Sequence, residues 1–561
     1  MRGGRAARAA IVILPCLLVA ILAAPTLPYM LPAFEDHASE NYQPLQALKF
    51  YQSLGADFHK YGPMRNFLLL PPYGALFAWW WAEGSFGPPS SDFPYGFHEP
   101  LRQISALIFA GRALFLLIFL ACSAYLLRSL QLAVASGAAV AAAFLIGAGT
   151  SHIAAYFAAN TAPDGPMLAF ALASLGTYTR ILALGATPGR LVALSLLAVF
   201  SISSKELAGF LYLLPYLGLG AVLWREQRAT PEGRRRSARL CALALSSGVG
   251  AYLLLDVVYA PGTWWLRMQH WLAGSGADPD VWLGIAPGES RSAAHLAIVA
   301  ASVLGALGPG GLPLAGAAIA ALCVRRPPGW LLSLLPSLSF VGFGILPLGY
   351  ASDEFLAPAI AGLIPALAFG LDALERALAG RRALRAAWRI ALVLGLAANA
   401  VYASFAWLQL ESQYLRVAER ILEARGPGTG AVNLLDLWPR VPGKTRLEAW
   451  GHPIDTRSIA ELMDADPGAR PDWILAERGL LVFLAEARSM PARAALLRAE
   501  NGIDSSRWSG VEALGYRLEE VVETPSPRWF PFDWMPGVAA VLERSPVHVY
   551  RRDPLARRAA G

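Results

Sequence analysis

The chain begins with an apolar stretch, Ile11-Val-Ile-Leu-Pro-Cys-Leu-Leu-Val-Ala-Ile-Leu-Ala-Ala-Pro-Thr-Leu-Pro-Tyr-Met-Leu31, and soon reaches Phe34-Glu35-Asp36-His37-Ala38-Ser39-Glu40-Asn41-Tyr42. The apolar run is long enough to cross a bilayer, so Glu35 and Asp36 come where a membrane span would leave the hydrocarbon. Ionised groups at such places are costly and mark candidate functional sites. Two interpretations stay open: the acidic pair is the polar end of a helix, or it performs chemistry.

The composition predicts a polytopic membrane protein. Of the 561 residues, 55% are hydrophobic and 16% are charged, against about 25% charged in soluble proteins, and the mean hydropathy is +0.44. The net charge of +7 does not indicate nucleic-acid binding, because the arginines cluster in short segments between apolar runs, as in membrane proteins. The four cysteines lie in or beside apolar runs and are interpreted as buried packing residues.

Apolar runs of about twenty residues predict a mainly α-helical bundle of about eleven transmembrane helices over residues 1–408, followed by an α/β domain over 409–561. The run 294–323 counts as one span kinked at Gly308-Pro309-Gly310-Gly311, because each half is too short to cross alone. The predicted spans are 10–31, 103–127, 132–151, 163–184, 190–204, 206–224, 238–259, 294–323, 329–348, 355–374 and 390–408.

Arginine asymmetry predicts the orientation. Six arginines fall in Arg225–Arg239 and five in Glu375–Arg389, whereas the loops between the other ends of the spans are acidic or aromatic. The positive-inside rule then places the N-terminus in the cytoplasm and the C-terminal domain outside. Met1–Arg8 resembles the start of a signal peptide, but the following run is long enough for an uncleaved first span.

The first outer loop, residues 33–101, is expected to lie at the membrane surface. It carries seven acidic residues against three basic ones, an amphipathic pattern over Tyr42–Leu54, and an aromatic segment, Phe67–Trp81, that ends in Trp79-Trp80-Trp81. Tryptophans concentrate at headgroup level, so two interfacial helices are predicted here.

The C-terminal domain shows strand patterns without catalytic spacing. Strands are predicted at Ala431–Leu437, Trp473–Ala476, Leu480–Leu484, Gly515–Val522 and Val547–Arg551, with a helix at Pro491–Ala499. No nucleophile elbow or phosphate loop occurs, which favours a binding or packing role.

Several polar side chains are expected to meet at the outer ends of the spans. In chain order they are Glu35, Asp36, Asn160, Asp164, Lys205, Arg267, His270, Tyr350 and Asp353. Four of them have a structural alternative: Asp164 could be a helix N-cap, Lys205 a snorkelling lysine, and Arg267 and His270 interface anchors. An outer cavity lined by carboxylates and cations suits an anionic, lipid-borne substrate.

Taken together, the chain resembles the GT-C superfamily of membrane glycosyltransferases, in the branch of protein O-mannosyltransferases and the lipid A aminoarabinose transferase. The residues that carry the resemblance are Glu35-Asp36 after the first span, Asn160-Thr-Ala-Pro-Asp164 and Ser204-Lys205-Glu206. The long outer loop and the outer C-terminal domain also match.

The resemblance implies inverting transfer of a sugar from a polyprenyl-phosphate donor to a lipid, glycan or protein acceptor outside the cytoplasm. Asp36 is then the first choice for the base and Glu35 the second. Because the family shows Asp before Glu and this chain has the reverse order, the assignment between the two stays open. Lys205 would bind the donor phosphate. Asp353 with Glu354 could hold a metal, Mg²⁺ or Mn²⁺, or the acceptor, although the family often has a basic residue near that loop.

A different class of function remains open on the residues alone. The chain could be a non-catalytic transporter of lipid-linked sugars or a scaffold for cell-envelope polymer assembly. Transporters are expected to carry mid-span charges and paired broken helices, whereas here Asp256 is the isolated charge and one span is broken. Short loops and an arginine-rich inner face indicate a bacterial inner membrane, with membrane lipid as a partner and no nucleic acid.

Overall fold

The computed structural model describes residues 2–24, 27, 61–89, 96–151, 157–158, 161–272, 291–346, 353–410, 423–424, 430–435, 454–455, 457–489, 494, 497–498, 502–523 and 546–553. Most of them are helical. The helices before the C-terminal domain are α1 (Arg2–Ala23), α2 (Met64–Ala82), α3 (Pro100–Ala133), α4 (Gly137–Phe144), α5 (Asp164–Leu184), α6 (Pro188–Ile202), α7 (Leu213–Gln227), α8 (Pro231–Tyr252), α9 (Pro261–Leu272), α10 (Arg291–Arg325), α11 (Trp330–Phe340), α12 (Asp353–Gly362), α13 (Ile364–Ala377) and α14 (Arg382–Leu410).

Eight segments within the described residues are long and apolar enough to cross a membrane, which supports the prediction of a polytopic membrane protein. They are Ala6–Ala23, Arg102–Ala133, Asp164–Leu184, Glu206–Arg225, Pro231–Val258, Ser302–Arg325, Leu356–Ala377 and Arg382–Ser404. Shorter apolar helices fill the remaining predicted positions, at Gly137–Gly149, Pro188–Ile202 and Trp330–Ile345. The count of eleven spans therefore stays a prediction.

Local sequence explains where three of these helices begin. Ser136, Thr187 and Thr230 each accept a hydrogen bond on the side-chain oxygen from a backbone N–H in the first turn of α4, α6 and α8. Proline follows Thr187 and Thr230 directly, at the position where its missing N–H costs nothing.

Three helices end in a π-helical turn. Leu145–Gly149 continues α4, Leu253–Val258 continues α8, and Val341–Ile345 continues α11. The turn after α8 buries the side chain of Asp256 while its neighbours stay partly or fully exposed. Such turns are frequent at functional sites.

The predicted kink of the 294–323 segment is present in α10. Gly308 has φ 72° and ψ 174°, a left-handed conformation that suits glycine. Asn399 of α14 bridges the break: its Oδ1 accepts from Gly310 N at 2.8 Å and Gly311 N at 2.9 Å, and its Nδ2 donates to the Leu307 carbonyl at 2.6 Å. One amide side chain thus satisfies backbone groups that the kink leaves without helical partners.

In the loop predicted to follow the first span, α2 confirms the helix predicted over Phe67–Trp81, and its place on the outer side stays a prediction. Its Tyr73, Phe77 and Trp80 pack into an aromatic cluster with Phe86 and Phe97, whereas Trp79 and Trp81 are exposed. The helix predicted over Tyr42–Leu54 lies outside the described residues.

The C-terminal domain contains a five-stranded mixed sheet of order β2-β1-β3-β5-β4. Strands β1, β2 and β3 are parallel, and β5 pairs antiparallel with both β3 and β4. The elements are β1 (Val432–Leu434), β2 (Ile454–Asp455), α15 (Ile459–Asp464), β3 (Trp473–Glu477), α16 (Arg478–Ala487), β4 (Tyr516–Val522) and β5 (Val547–Arg552).

Two sequence interpretations need correction here. Leu480–Leu484 is not a strand but part of α16, because a short apolar run fits either period. Of the cysteines, Cys241 and Cys323 are exposed rather than buried, and all four are free.

The Asn399 bridge yields a stability prediction. Asn399→Ala should destabilise the protein by more than about 3 kcal/mol, because the buried Leu307 carbonyl and two glycine N–H groups lose their partner. Thermal and denaturant unfolding in detergent would measure the loss. Ser404→Ala is the matched control: its hydroxyl bonds within α14 at an exposed position. Equal effects of the two substitutions would contradict the bridging role.

Candidate functional site at the ends of α5, α6 and α8

The structure brings three of the sequence-predicted site residues, Asp164, Lys205 and Arg267, to one end of the helical bundle. Of the others, Glu35, Asp36, Asn160 and Tyr350 lie outside the described residues. His270 falls within α9 and Asp353 begins α12, but their side chains are also outside the described part.

Lys205 and Asp164 form a buried ion pair. Lys205 follows the end of α6, and Asp164 is the first residue of α5. Lys205 Nζ lies 2.7 Å from Asp164 Oδ1, and Lys205 is 7% exposed. Its ammonium group is also 5.9 Å from the centroid of the Tyr61 ring, within the range of a cation–π contact.

Arg267 connects three chain segments. Its Nη2 donates to Asp256 Oδ1, its Nε lies 2.9 Å from Glu206 Oε1, and its Nη1 donates to the Tyr61 carbonyl at 3.1 Å. The side chain is 2% exposed. The planar guanidinium suits several simultaneous contacts, which the single ammonium group of a lysine could not reproduce.

Asp256 is held from both sides. Its Oδ1 accepts from Arg267, and its Oδ2 accepts from the hydroxyl of Ser203 at the end of α6. A buried carboxylate is tolerated when it is paired and hydrogen-bonded. The π-helical end of α8 places this carboxylate beside Arg267 of α9.

The segment directly before α2 packs on the same turn. Met64 N donates to the Ser203 carbonyl at 3.0 Å. A Cβ on Gly62 would lie 2.1 Å from that carbonyl oxygen, so a side chain at this position would separate the loop from the turn. Residues 61–64 and 203–206 therefore form one packed unit.

Two further polar residues, at the start of α2, are buried. Arg65 is 3% and Asn66 is 4% exposed. Burial lowers the pKa of the Arg65 guanidinium to about 10, partly offset by Tyr61, Tyr73 and Asp164, so the group remains charged at neutral pH.

The end of α1 points to the same region. The Leu27 carbonyl accepts a hydrogen bond of 3.4 Å from Arg112 of α3. The neighbouring Gly111 packs against Thr161, since a Cβ on Gly111 would lie 2.7 Å from the Thr161 methyl group. Thr161 precedes Asp164 by three residues.

Three alternatives weighed from the sequence are wrong. Asp164 is not an N-cap, because Pro163 holds that position and no side-chain cap forms. Lys205 does not snorkel and Arg267 is not an exposed anchor, because both are buried in ion pairs. The same burial explains Asp256, which stood out in the sequence as an isolated charge. The contributions of Ser203, Tyr61, Arg65 and Asn66 had no distinguishing pattern in the sequence.

The charges balance among these six side chains. The cations Arg65, Lys205 and Arg267 face the carboxylates Asp164, Glu206 and Asp256. Fixed charges of this kind can stabilise a charge that develops on a reacting group without reorganisation. Within the described residues no group of three His, Cys, Asp or Glu side chains could hold a metal ion, so the metal site stays a prediction.

Comparison with known proteins gives no family for this chain. No family model and no curated protein sequence matches it. Among solved structures, the Archaeoglobus fulgidus oligosaccharyltransferase AglB, in complex with an inhibitory peptide and a dolichol-phosphate, aligns with a TM-score of 0.46 and 11% identity, covering 88% of this chain and 72% of that chain. The A. fulgidus oligosaccharyltransferase tethered with an acceptor peptide containing the NVT sequon aligns with a TM-score of 0.45 and 12% identity, covering 92% of this chain and 73% of that chain. At these TM-scores and identities the similarity supports no conclusion about function, so any inference about function rests on the residues of the site.

The ion-pair cluster generates a second prediction. Arg267→Met should destabilise the protein by about 3–5 kcal/mol, because Asp256 and Glu206 would be left as buried charges without their shared cation. Arg102→Met is the matched control: Arg102 pairs with Glu99 at the surface, with side chains 65% and 57% exposed, and should change stability by about 0–1 kcal/mol. Unfolding in detergent measures both variants. A loss of under about 1 kcal/mol for Arg267→Met would show that the cluster is not a structural requirement.

Proposed function

We propose that this protein transfers a sugar, with inversion, from a polyprenyl-phosphate-linked donor to an acceptor hydroxyl at the end of the bundle that carries the ion-pair cluster. In this proposal it is a GT-C-type glycosyltransferase. The observation that supports it is the convergence of Lys205, Arg267 and Arg65 with buried carboxylates beside the docked first outer loop.

The cations suit the leaving group. When the bond between the sugar C1 and the phosphate oxygen breaks, the lipid phosphate gains negative charge. Lys205 and Arg267 are held in place before the reaction by Asp164, Asp256 and Glu206. Preorganised cations stabilise such charge better than mobile ones.

The base is proposed to come from the acidic pair after α1. Asp36, with Glu35 as the alternative, accepts the proton of the acceptor hydroxyl. At the same time the oxygen of that hydroxyl attacks the sugar C1 from the face opposite the phosphate. The contact of Leu27 with Arg112 supports this role, since it starts the 28–36 segment near the site.

The remaining residues named from the sequence are proposed to contact substrate. Asn160 comes four residues before Asp164, and His270 comes three after Arg267 in the chain. Tyr350 and Asp353 flank the start of α12. A divalent cation, Mg²⁺ or Mn²⁺, would fit the acidic residues Asp353 and Glu354.

The orientation completes the proposal. The six arginines of 225–239 lie at the end of α7, in the turn after it and at the start of α8, and the site lies at the other end of α8. The positive-inside rule then places the site on the outer face of a bacterial inner membrane, with the N-terminus cytoplasmic and the C-terminal domain outside. That domain is proposed to bind the acceptor or to pack on the bundle.

Removal of the base is the direct test. Membranes containing wild type should incorporate label from one member of a panel of radiolabelled polyprenyl-phosphate sugars. Asp36→Asn should lower the transfer rate by about 10²–10⁴-fold at matched expression, because the acceptor proton loses its base. Glu35→Gln tests the alternative assignment.

Glu83→Gln serves as the matched control, since Glu83 is an exposed acid of the same loop, and it should transfer at the wild-type rate. Full activity of both Asp36→Asn and Glu35→Gln would exclude the acidic pair as the base. No transfer by wild type from any donor would favour the transporter or scaffold alternative.

A further inference from the structure

The first turn of α2 carries a buried polar pair, Arg65 and Asn66, of which the ion-pair cluster accounts only for Arg65. Arg65 and Asn66 are 3% and 4% exposed, and neither was distinguished in the sequence. Buried polar atoms in proteins almost always have hydrogen-bond partners. A buried polar atom of this pair that has no hydrogen-bond partner therefore indicates a place where a ligand binds.

The orientation of the Asn66 amide follows from its neighbour. Arg65 Nε donates to Asn66 Oδ1 at 3.3 Å. Because a guanidinium can only donate, the atom that faces it must be the amide oxygen, and Nδ2 is then the other end of the group. Within the described part of the chain, this buried Nδ2 has no acceptor.

The pair lies in the environment of Lys205. Arg65 interacts electrostatically with Asp164 and Tyr61. Lys205 Nζ is 2.7 Å from the same Asp164 carboxylate and 5.9 Å from the centroid of the same Tyr61 ring. Two cations, Arg65 and Lys205, therefore lie near a common carboxylate and a common aromatic ring, and the buried Asn66 amide is hydrogen-bonded to the first of them.

These donors define the ligand they would bind. The Asn66 Nδ2 needs an oxygen that accepts, and the adjacent cations favour an oxygen that carries negative charge. A phosphodiester offers several such oxygens and no donor of its own. We propose that Asn66 Nδ2, together with Arg65, binds the phosphate group of the polyprenyl-phosphate donor beside Lys205. This inference rests on the proposed function and assigns a binding subsite within it.

Substitution of Asn66 by Asp tests the contribution of the Nδ2 hydrogen-bond donor apart from that of the rest of the side chain. Asn66→Asp keeps the size and the acceptor for Arg65 Nε but replaces the Nδ2 donor with an anionic oxygen. Asn66→Leu is a second variant that removes both groups without adding charge. Binding of undecaprenyl phosphate and of the neutral undecaprenol to the purified full-length protein is measured for each variant, with Glu83→Gln as the control.

The expected result is a loss of at least tenfold in affinity for undecaprenyl phosphate in both Asn66 variants, with undecaprenol binding unchanged, since the lost bond is to a charged group. Equal weakening for both lipids would show a structural role and overturn the inference. Unchanged undecaprenyl phosphate binding would also overturn it. If wild-type protein binds undecaprenyl phosphate no better than undecaprenol, the proposed function itself is contradicted. Failure of the proposed function is therefore seen in the wild type, whereas failure of the Asn66 subsite is seen only in the variants.

Discussion

The constraint on which the site depends is the cost of burying charge in an apolar bundle. Arg267, 2% exposed, is acceptable there because Asp256 and the Tyr61 carbonyl accept hydrogen bonds from its guanidinium and the Glu206 carboxylate lies 2.9 Å away as a second counter-charge. These partners come from the end of α8, the turn before α7 and the segment before α2, so one buried cation holds three segments in a fixed relation. Removing any partner would leave a buried charge that the others cannot compensate.

The same requirement links stability to chemistry. A site that must stabilise a developing phosphate charge needs cations that do not move, and the buried carboxylates supply that rigidity at Lys205 and Arg267. The docking of Gly62 against the Ser203 carbonyl brings the outer loop to these cations. Satisfying buried polar groups also maintains the kinked helix α10, where Asn399 bonds to both sides of the break.

Much of this arrangement could be predicted from residue patterns, but some of it could not be. The apolar runs predicted the positions of the helices. The alternation of spans predicted that Asp164 and Lys205 lie at the same end of the bundle, although 41 residues separate them. The pairing of Arg267 with Asp256 was not predictable, because it depends on a π-helical turn that has no distinctive sequence. Nor could the sequence indicate that Asn399 bonds across to residues 88–92 positions away. The short run Leu480–Leu484 fitted either a strand or a helix, and only packing in α16 decided between them.

The most direct measurement follows the fate of the donor. The purified protein in proteoliposomes would be given a polyprenyl-phosphate sugar and an acceptor, and the lipid products would be analysed by mass spectrometry. The account predicts release of free polyprenyl phosphate in step with a glycoside whose anomeric configuration is inverted. A donor that reaches the opposite leaflet intact, without release of polyprenyl phosphate, would contradict it and identify a transporter.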